Sequence, residues 1–450
     1  MNDIPELGQW ITGKIELNST TQLGKSYETS NISAKYYDAK HFPNNEELVR
    51  DLKNLLIIYE KIALNWSKYK KLGEKESDDV PFKLEKFIEA LSYSNIKFSE
   101  KLIVRFIAAL LSKPFIILTG LSGSGKTKLA EAFSFWISEN ADKQICMVAV
   151  GADWTNREPL LGFPNALEQG KYVKPDNGVL DLIMRAESDQ EHPYFLILDE
   201  MNMSHVERYF ADFLSAMESA NREISLHPDT EIWKDSDENW NDGVPAKIKL
   251  PKNLFIIGTV NIDETTYMFS PKVLDRAHVI EFRVSPNDMK GFLENPSEID
   301  MDALREQGAS MASEFVKKAQ EKQTITDNLN KELIPFFEKL QNIGAEFGYR
   351  TAVEFSHFVK ICQEIAVGRM TKDEIIDAAI MQKLLPKVHG SRNKVEKILR
   401  LLAQLCLVDT NKEPFIQISD GDIKYPLSYE KIERMQHRVI TDGFTSYAEA

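Results

Sequence analysis

The pattern of apolar and polar positions changes along the chain, and the change falls near residue 285. Before it, short apolar runs end at small or polar residues and are separated by helical stripes, which is typical of buried strands alternating with helices. The apolar runs are 115–118, 145–150, 194–198, 254–260 and 279–282. This alternation predicts an α/β fold with a mostly parallel sheet.

After residue 285 the period becomes helical and breakers are scarce. The predicted helices are 300–323, 329–343, 351–366, 371–388 and 392–408, followed by one from 426 to about 443. Upstream, apolar residues step by four and three from Leu48 to Tyr69, which predicts an amphipathic helix that packs on its own domain or, less commonly, binds a partner. Further helices are predicted at 82–92 and 99–112, with Ser99 as N-cap.

These patterns divide the chain into three regions. Residues 1–75 form a small, mostly helical N-terminal region, and a charged stretch at 70–81 is the expected linker. The α/β domain spans 82–284, and the helical domain spans 285–450. Within the α/β domain, helices are predicted at 179–187 and 203–219. Scattered glycines in 151–178 predict an inserted hairpin, and two strand-like segments in 222–250 predict a second one.

A glycine-rich segment directly follows the first predicted strand and precedes a helical stripe. It reads Gly120, Leu121, Ser122, Gly123, Ser124, Gly125, Lys126, Thr127 and fits the phosphate-binding loop G-x-x-x-x-G-K-[ST]. Glycines allow the backbone to approach a ligand, and consecutive N–H groups with the helix start attract phosphate oxygens. We expect Lys126 to reach the β- and γ-phosphates and the Thr127 hydroxyl to hold Mg²⁺.

Polar side chains end two later strands at the same predicted sheet edge. The strand 194–198 leads into Asp199 and Glu200, and the strand 254–260 leads into Asn261. Ligands of open parallel sheets bind at the carboxyl ends of the strands. We expect Asp199 to hold Mg²⁺, Glu200 to orient or deprotonate the attacking water, and Asn261 to hydrogen-bond the γ-phosphate and the water.

Composition narrows the class of protein. The 450 residues carry a net charge of −14, which argues against a broad basic face for coating nucleic acid. No apolar run approaches the roughly 18 residues that cross a bilayer, and the N-terminus has no signal-peptide pattern. The three cysteines, Cys146, Cys362 and Cys406, lie far apart in apolar surroundings, so reduced thiols and a cytoplasmic location are expected.

A phosphate loop, an acidic strand end, a strand ending in asparagine, a following arginine and a helical lid together resemble an AAA+ ATPase. The two hairpin insertions are similar to the branch that contains MoxR-like and McrB-like proteins. Three motifs resemble McrB-like proteins more than MoxR-like ones. They are Leu198-Asp199-Glu200-Met201-Asn202, Gly258-Thr259-Val260-Asn261 and, in the helical region, Leu385-Pro386-Lys387-Val388-His389-Gly390. The specific resemblance covers roughly residues 100–450, and Tyr36-Tyr37-Asp38 resembles the end of a McrB-type N-terminal domain.

The resemblance implies a hexameric ring with nucleotide held between subunits. It implies that Asn261 is the sensor-1 residue, Arg276 the arginine finger for a neighbour's γ-phosphate, and Arg350 the sensor-2 residue. McrB-like proteins are restriction GTPases that act on DNA with a separate McrC-like nuclease subunit, whereas most AAA+ proteins use ATP. Residues 263–266 depart from the McrB signature, which weakens the inference of GTP, so GTP and ATP both remain open.

The residues leave other functions to be weighed. The chain shows no convincing nuclease constellation of its own, so cleavage of DNA would need the partner. The main alternative is a MoxR-like chaperone that remodels a protein. Its nucleotide hydrolysis would be stimulated by the client protein and not by DNA. A nucleotide switch with negligible turnover is a third reading, and the Asp199–Glu200 pair argues against it.

Overall fold

The computed structural model describes residues 11–12, 33–34, 44–53, 80–229, 231–235, 243–262, 267, 269–294, 298–325 and 329–447. The chain divides into two compact units, Met1–Asp78 and Asp79–Ala450. Most of the predicted linker, the predicted helix beyond residue 53 and the departure at 263–266 lie outside the described residues. No helix in the described ranges is long and apolar enough to cross a membrane.

The strands, in chain order, are β1 (Ile11–Thr12), β2 (Ser33–Ala34), β3 (Phe115–Gly120), β4 (Ile145–Ala149), β5 (Phe163–Pro164), β6 (Lys171–Val173), β7 (Tyr194–Asp199), β8 (Glu223–Ser225), β9 (Lys234–Asp235), β10 (Lys247–Lys249), β11 (Leu254–Asn261), β12 (His278–Phe282), β13 (His389–Ser391) and β14 (Phe444–Ser446).

The helices are α1 (45–53), α2 (Leu84–Tyr93), α3 (Glu100–Ser112), α4 (Lys126–Ile137), α5 (Ala141–Gln144), α6 (Glu158–Leu161), α7 (Val179–Ser188), α8 (Val206–Tyr209), α9 (Ala211–Glu218), α10 (Pro271–Leu274), α11 (Pro286–Glu294), α12 (Ala312–Ala319), α13 (Asn330–Gln341), α14 (Tyr349–Ile365), α15 (Lys372–Ala379), α16 (Arg392–Leu405) and α17 (Pro426–Asp442).

The first unit contains an antiparallel pairing and one helix among its described residues. Ile11 of β1 pairs with Ala34 of β2. Asn44 caps α1, because its side chain accepts a hydrogen bond from the Glu47 N–H at 2.9 Å and the Glu47 carboxylate accepts one from the Asn44 N–H at 3.3 Å. The helix therefore begins before Leu48, where the apolar stripe starts.

A five-stranded sheet in the order β12-β3-β11-β7-β4 forms the centre of the second unit, and every pairing in it is parallel. Alternate residues point to opposite faces: Ile116 and Leu118 pack with α3 and α4, whereas Phe115 and Ile117 pack with the layer that includes α7 and α9. The predicted α/β class with a parallel sheet is confirmed. The central strands β3, β11 and β7 end side by side, at Gly120, Asn261 and Asp199.

Both predicted insertions contain paired strands. β5 and β6 are antiparallel, as are β8 and β10. The sequence did not indicate that β9, from the second insertion, adds to β6 as a parallel third strand, with Lys234 opposite Lys171. The two insertions thus share one small sheet, although the paired residues Lys171 and Lys234 are 63 positions apart in the chain.

Three predicted helices are interrupted, and the prediction of a single helix at 300–323 is wrong. Short 3₁₀ turns at Asp302–Leu304 and Ala309–Met311 precede α12. The Glu306 and Gly308 N–H groups donate instead to carbonyls at the end of α4, and Gly308 lies so close to Trp136 that an added Cβ would stand 2.5 Å from the indole. Contacts with α4 thus replace the helical ladder there.

The predicted helix 203–219 is also divided, into a 3₁₀ turn at Met201–Met203 followed by α8 and α9. The predicted helix 371–388 holds only as far as α15, which continues as a π-helical turn, Ile380–Leu384, and a 3₁₀ turn, Leu385–Lys387. Pro386 lacks an N–H and its ring crowds the carbonyl four residues earlier, which disfavours a regular ladder here. The remaining helices of this region match their predictions within a few residues, whereas α11 and the β13–β14 pair were not predicted.

Candidate functional site

The predicted phosphate loop joins β3 to α4 and depends on glycine at two places. Gly120 has a φ of +153°, and a Cβ there would lie 2.5 Å from the Phe282 carbonyl oxygen. Gly125 has a φ of +91°, and a Cβ there would lie 2.9 Å from the Phe98 ring. A side chain at either position would be both strained and obstructed, so the loop can take this form only with glycine.

Lys126 is the first residue of α4, and its side chain turns back over the loop. Its Nζ donates to the carbonyl oxygens of Gly120 at 3.0 Å and Leu121 at 2.6 Å. The residue is only 5% exposed. A lysine ammonium held over a glycine loop at a helix N-terminus supplies positive charge where phosphate oxygens bind.

A threonine pair surrounds the Asp199 carboxylate at the end of β7. Its Oδ1 accepts hydrogen bonds from Thr127 Oγ1 at 2.8 Å and from Thr259 Oγ1 at 2.6 Å. A hydroxyl and a carboxylate side by side are the hard oxygen donors that Mg²⁺ prefers, so these residues fit the metal predicted from the sequence. Thr259 was not predicted; its signal is its place two residues before Asn261, on the same face of β11.

Glu200 follows Asp199 in a left-handed backbone conformation, with a φ of +52°. Its N–H donates to Thr259 Oγ1 at 3.0 Å, and its Oε1 accepts from Asn261 Nδ2 at 3.0 Å. A non-glycine residue in this region is strained, and such strain is commonly retained where it serves function. The arrangement fixes the Glu200 carboxylate beside the loop, where it can act as a general base on a water molecule.

The predicted residues of the loop edge meet in one polar cavity of about 240 Å³. Its lining includes Ser122, Gly123, Gly125, Lys126, Thr127, Asp199, Glu200 and Asn261, together with Lys128. A second cavity of about 590 Å³ adjoins it and shares Gly123, Gly125 and Lys128. Ser124 lines this second cavity, and Gly120 shapes the loop behind the first.

The second cavity has a different character, because apolar side chains contribute much of its lining. They are Ile96, Phe98, Val284, Met289, Phe292 and Ile299. A small polar cavity beside a larger apolar one can hold a polyphosphate attached to a flat ring system. No sequence pattern indicated this cavity, because residues 95–99 lie in a loop and α11 was not predicted.

The two predicted arginines lie together in a different place, and neither lines the two cavities just described. Arg276 donates to Glu218 Oε2 at 2.6 Å, and Arg350 forms ion pairs with both Glu218 and Asp275. Partial burial would raise the pKa of Glu218, but hydrogen bonds from Arg350 and Arg276 outweigh it and lower that pKa. One carboxylate therefore holds both arginines within this chain.

Comparison with known families gives two partial matches. Residues 2–64 match the family described as "MrcB-like, N-terminal domain", and residues 298–444 match a "Domain of unknown function (DUF8727)". Over 170 residues the chain is 24% identical to the "Type IV methyl-directed restriction enzyme EcoKMcrB subunit" of Escherichia coli (strain K12). That alignment covers 36% of this chain and 33% of the relative, so the chain spans about a third of the relative's length. The McrB-like resemblance inferred from the motifs is confirmed.

Comparison with solved structures adds no argument about fold or function. Two structures of NtrX from Brucella abortus, in complex with ATP and with ADP, align over 73% and 75% of this chain and over 74% and 76% of theirs. Their sequence identities are 14% and 15%, and their TM-scores are 0.26 and 0.27.

Proposed function

We propose that this McrB-like chain is an AAA+ nucleoside-triphosphatase that acts in an oligomeric ring as the motor subunit of a DNA restriction or defence system. The observation that carries the proposal is the hydrogen-bonded network at the loop edge, in which Thr259 joins Asp199 to Glu200 and Asn261 holds the Glu200 carboxylate. A binding module without turnover has no need for a carboxylate held in a strained conformation beside the phosphate site.

The chain's own residues would divide the reaction between them. Loop N–H groups and Lys126 bind the phosphates, and Thr127 with Asp199 would hold Mg²⁺. The chemistry that bound Mg²⁺ supplies is neutralisation of the charge on the transferred phosphoryl group. Glu200 accepts a proton from the attacking water, and Asn261 keeps its carboxylate in place and can contact the γ-phosphate.

The arginines would complete the site of a neighbouring subunit. Arg276 and Arg350 share Glu218 and lie outside the cavities that adjoin their own phosphate loop. We therefore place both at the γ-phosphate of the next subunit in a ring, with Arg276 as the finger. An isolated subunit should then hydrolyse nucleotide poorly, because an arginine finger supplies much of the rate.

The partners follow from the resemblance and from the relative's description as a restriction enzyme subunit. We expect DNA and a separate McrC-like nuclease subunit. The adjoining apolar cavity would hold the base of GTP or ATP.

The test is turnover of GTP and of ATP as a function of protein concentration, with and without DNA and the nuclease subunit. We expect the rate per subunit to rise steeply with concentration and to rise again with DNA or the nuclease. Hydrolysis that is indifferent to both but stimulated by a protein client would favour the remodelling chaperone. Absence of turnover in Lys126→Ala confirms that the activity belongs to this site.

A further inference from the structure

Lys383 is a buried lysine that reaches the segment carrying Arg276. Its side chain is 1% exposed, and it lies in the π-helical turn that follows α15. Its Nζ donates to the Ala277 carbonyl oxygen at 3.0 Å and lies 3.5 Å from the Asp275 carbonyl oxygen. The helical domain thereby holds the main chain on both sides of Arg276.

Lys387, one turn further on, holds the same segment through a side chain. Its Nζ donates to Asp275 Oδ1 at 2.6 Å and to Thr351 Oγ1 at 3.2 Å. Asp275 is also the second carboxylate bound by Arg350. Two lysines four residues apart therefore fix the three residues that connect α10 to β12, and the middle one of the three is Arg276.

Glu354 anchors Lys383 from the helical side. Its carboxylate pairs with Lys383 at 2.6 Å and with Lys113 at 2.5 Å, and its side chain is 5% exposed. Burial would raise the pKa of Glu354, but the two lysines outweigh it and lower that pKa to about 2. Lys113 stands just before β3, so one carboxylate connects the strand of the phosphate loop to the lysine that holds the arginine segment.

Such a group is costly for stability alone. Buried ion pairs seldom stabilise a fold more than well-packed apolar side chains of similar size would, because desolvation offsets the attraction. What they provide is a defined geometry, since a charged hydrogen bond constrains both partners. The geometry defined here is that of residues 275–277. A small displacement of this backbone would produce a larger displacement of the Arg276 guanidinium at the end of its long side chain.

We propose that Lys383 and Lys387 are positioning residues that fix the main chain around Arg276, so that the helical domain determines where this arginine points. The inference rests on the proposed function, in which Arg276 acts on a neighbour's nucleotide. Lys383 and Lys387 touch neither cavity of their own subunit's loop, so their effect is on the neighbouring site.

The decisive variant is Lys383→Met, which removes the ammonium group and keeps an unbranched side chain. Its matched control is Lys431→Met. Lys431 is also a buried lysine of the helical domain, with a side chain 2% exposed, and it pairs with Glu281 of β12 at 3.3 Å. Both variants therefore break a buried lysine–glutamate pair, but only the first removes contacts with residues 275–277.

The assay mixes two inactive subunits. Arg276→Ala keeps its own site and lacks the arginine, whereas Glu200→Gln keeps the arginine and lacks the base. Mixed rings should regain turnover wherever a Glu200→Gln subunit presents Arg276 to an Arg276→Ala site. Lys383→Met is then added to either subunit, and the regained rate is measured together with nucleotide affinity.

We expect Lys383→Met in the Glu200→Gln subunit to lower the regained kcat by about 10²-fold, because misplacement of a catalytic group by about 1 Å has that effect. In the Arg276→Ala subunit it should change the rate little, as should Lys431→Met in either subunit. The KM should stay unchanged throughout, and Lys383→Arg should restore part of the loss. Equal loss from both placements, or from Lys431→Met, would overturn the positioning role.

The proposed function fails in a different way. If the mixture of Arg276→Ala and Glu200→Gln regains no turnover although each variant still binds nucleotide and assembles, the site is not shared between subunits. That result refutes the shared site itself, and the inference about Lys383 falls with it. Regained turnover with no effect of Lys383→Met refutes the inference alone.

Discussion

The phosphate-loop edge and the arginine cluster are two charged regions of the same unit, and they are held in different ways. At the loop edge, residues at the ends of adjacent strands bond to one another directly, as Asp199 does with Thr259 at 2.6 Å. In the arginine cluster, Arg276 and Arg350 meet on Glu218, and Lys383 and Lys387 fix the segment that carries Arg276. The sheet therefore builds the first region, and the packing of C-terminal helices against the segment between α10 and β12 builds the second.

This difference implies that the two regions respond differently to movement. Strand ends in a five-stranded parallel sheet are held by the backbone ladder and cannot shift separately. The arginine segment depends instead on side-chain contacts with Lys383 and Lys387, so a displacement of the helices that carry these lysines would move it. We expect changes at the loop edge to stop chemistry within a subunit, and changes in the cluster to stop it between subunits.

The largest effect is expected from Arg276→Ala. Loss of an arginine finger should lower kcat by about 10⁴-fold while nucleotide binding persists. Steady-state turnover of the assembled protein measures the first, and titration with a fluorescent nucleotide measures the second. Arg283→Ala is the control, because Arg283 lies beyond the next strand, is half-exposed and pairs with Glu430. Equal losses in both variants would contradict a specific role for Arg276.

Glu200→Gln should have the next largest effect, a loss of about 10³-fold in kcat, because general-base catalysis contributes on that scale. The amide can still accept from Asn261, so the loop edge should keep its shape and its affinity for nucleotide. Single-turnover hydrolysis, measured after binding is complete, isolates the chemical step. A variant with normal turnover would show that another group activates the water. The control is Glu413→Gln, because Glu413 is an exposed residue in the loop that follows α16.

The two regions also differ in how much of them the sequence could predict. The sequence predicted most residues of the loop edge, because each lies at a fixed position relative to a buried apolar run. They are the loop glycines, Lys126, Asp199, Glu200 and Asn261. Their convergence follows from strand order, which places β3, β11 and β7 side by side. Thr259 was missed because a threonine within a strand is ordinary.

The partners in the arginine cluster were beyond sequence reasoning. Arg276 and Arg350 came from a resemblance, but nothing in the chain indicated that Glu218 would hold both, since these residues are 58 and 132 positions from it. Lys383 stood within a stretch predicted as regular helix, and the π-helical turn that aims it arises near Pro386. Contacts of this kind depend on how distant segments of the chain pack, which no local pattern encodes.

Glu354→Gln tests the stability that the buried group of Glu354, Lys383 and Lys113 contributes. It leaves Lys383 and Lys113 buried without their anion, and breaking such a buried pair costs about 3 kcal/mol of unfolding free energy. Urea unfolding at neutral pH measures the change. Glu413→Gln, which breaks an exposed pair with Arg400, should cost less than about 1 kcal/mol. A loss of similar size in both would mean that the buried group contributes no more than a surface pair.

The pH dependence of the same variant gives a second check. The pKa of Glu354 is about 2 in the folded chain, against an ordinary value of 4.5, because the two lysines favour the carboxylate. Its stabilising contribution is therefore complete above pH 4.5 and is lost as the pH falls toward 2, since the unfolded chain takes up the proton first. In Glu354→Gln, the unfolding free energy should fall less steeply over this range than in the unmodified protein.

The smallest effect is expected from Gly258→Ala, which disturbs the loop edge through packing alone. A Cβ at Gly258 would stand 2.4 Å from Met201 Sδ, and Met201 is buried in the turn directly after Glu200. Its side chain must move, at a cost of about 1–2 kcal/mol in unfolding free energy. Gly421→Ala is the control, because a Cβ there meets nothing within 4 Å.

Turnover decides what that displacement means for the comparison. A shifted Met201 turn should move Glu200, so kcat of Gly258→Ala should fall. In mixed rings, however, a Gly258→Ala subunit that supplies Arg276 to a neighbour should restore turnover as well as the unmodified subunit does. A variant that loses its ability as donor and keeps its own turnover would show that the loop edge and the arginine cluster are coupled through the core. The two regions would then not be independent, although the roles proposed for Glu200 and Arg276 would be unaffected.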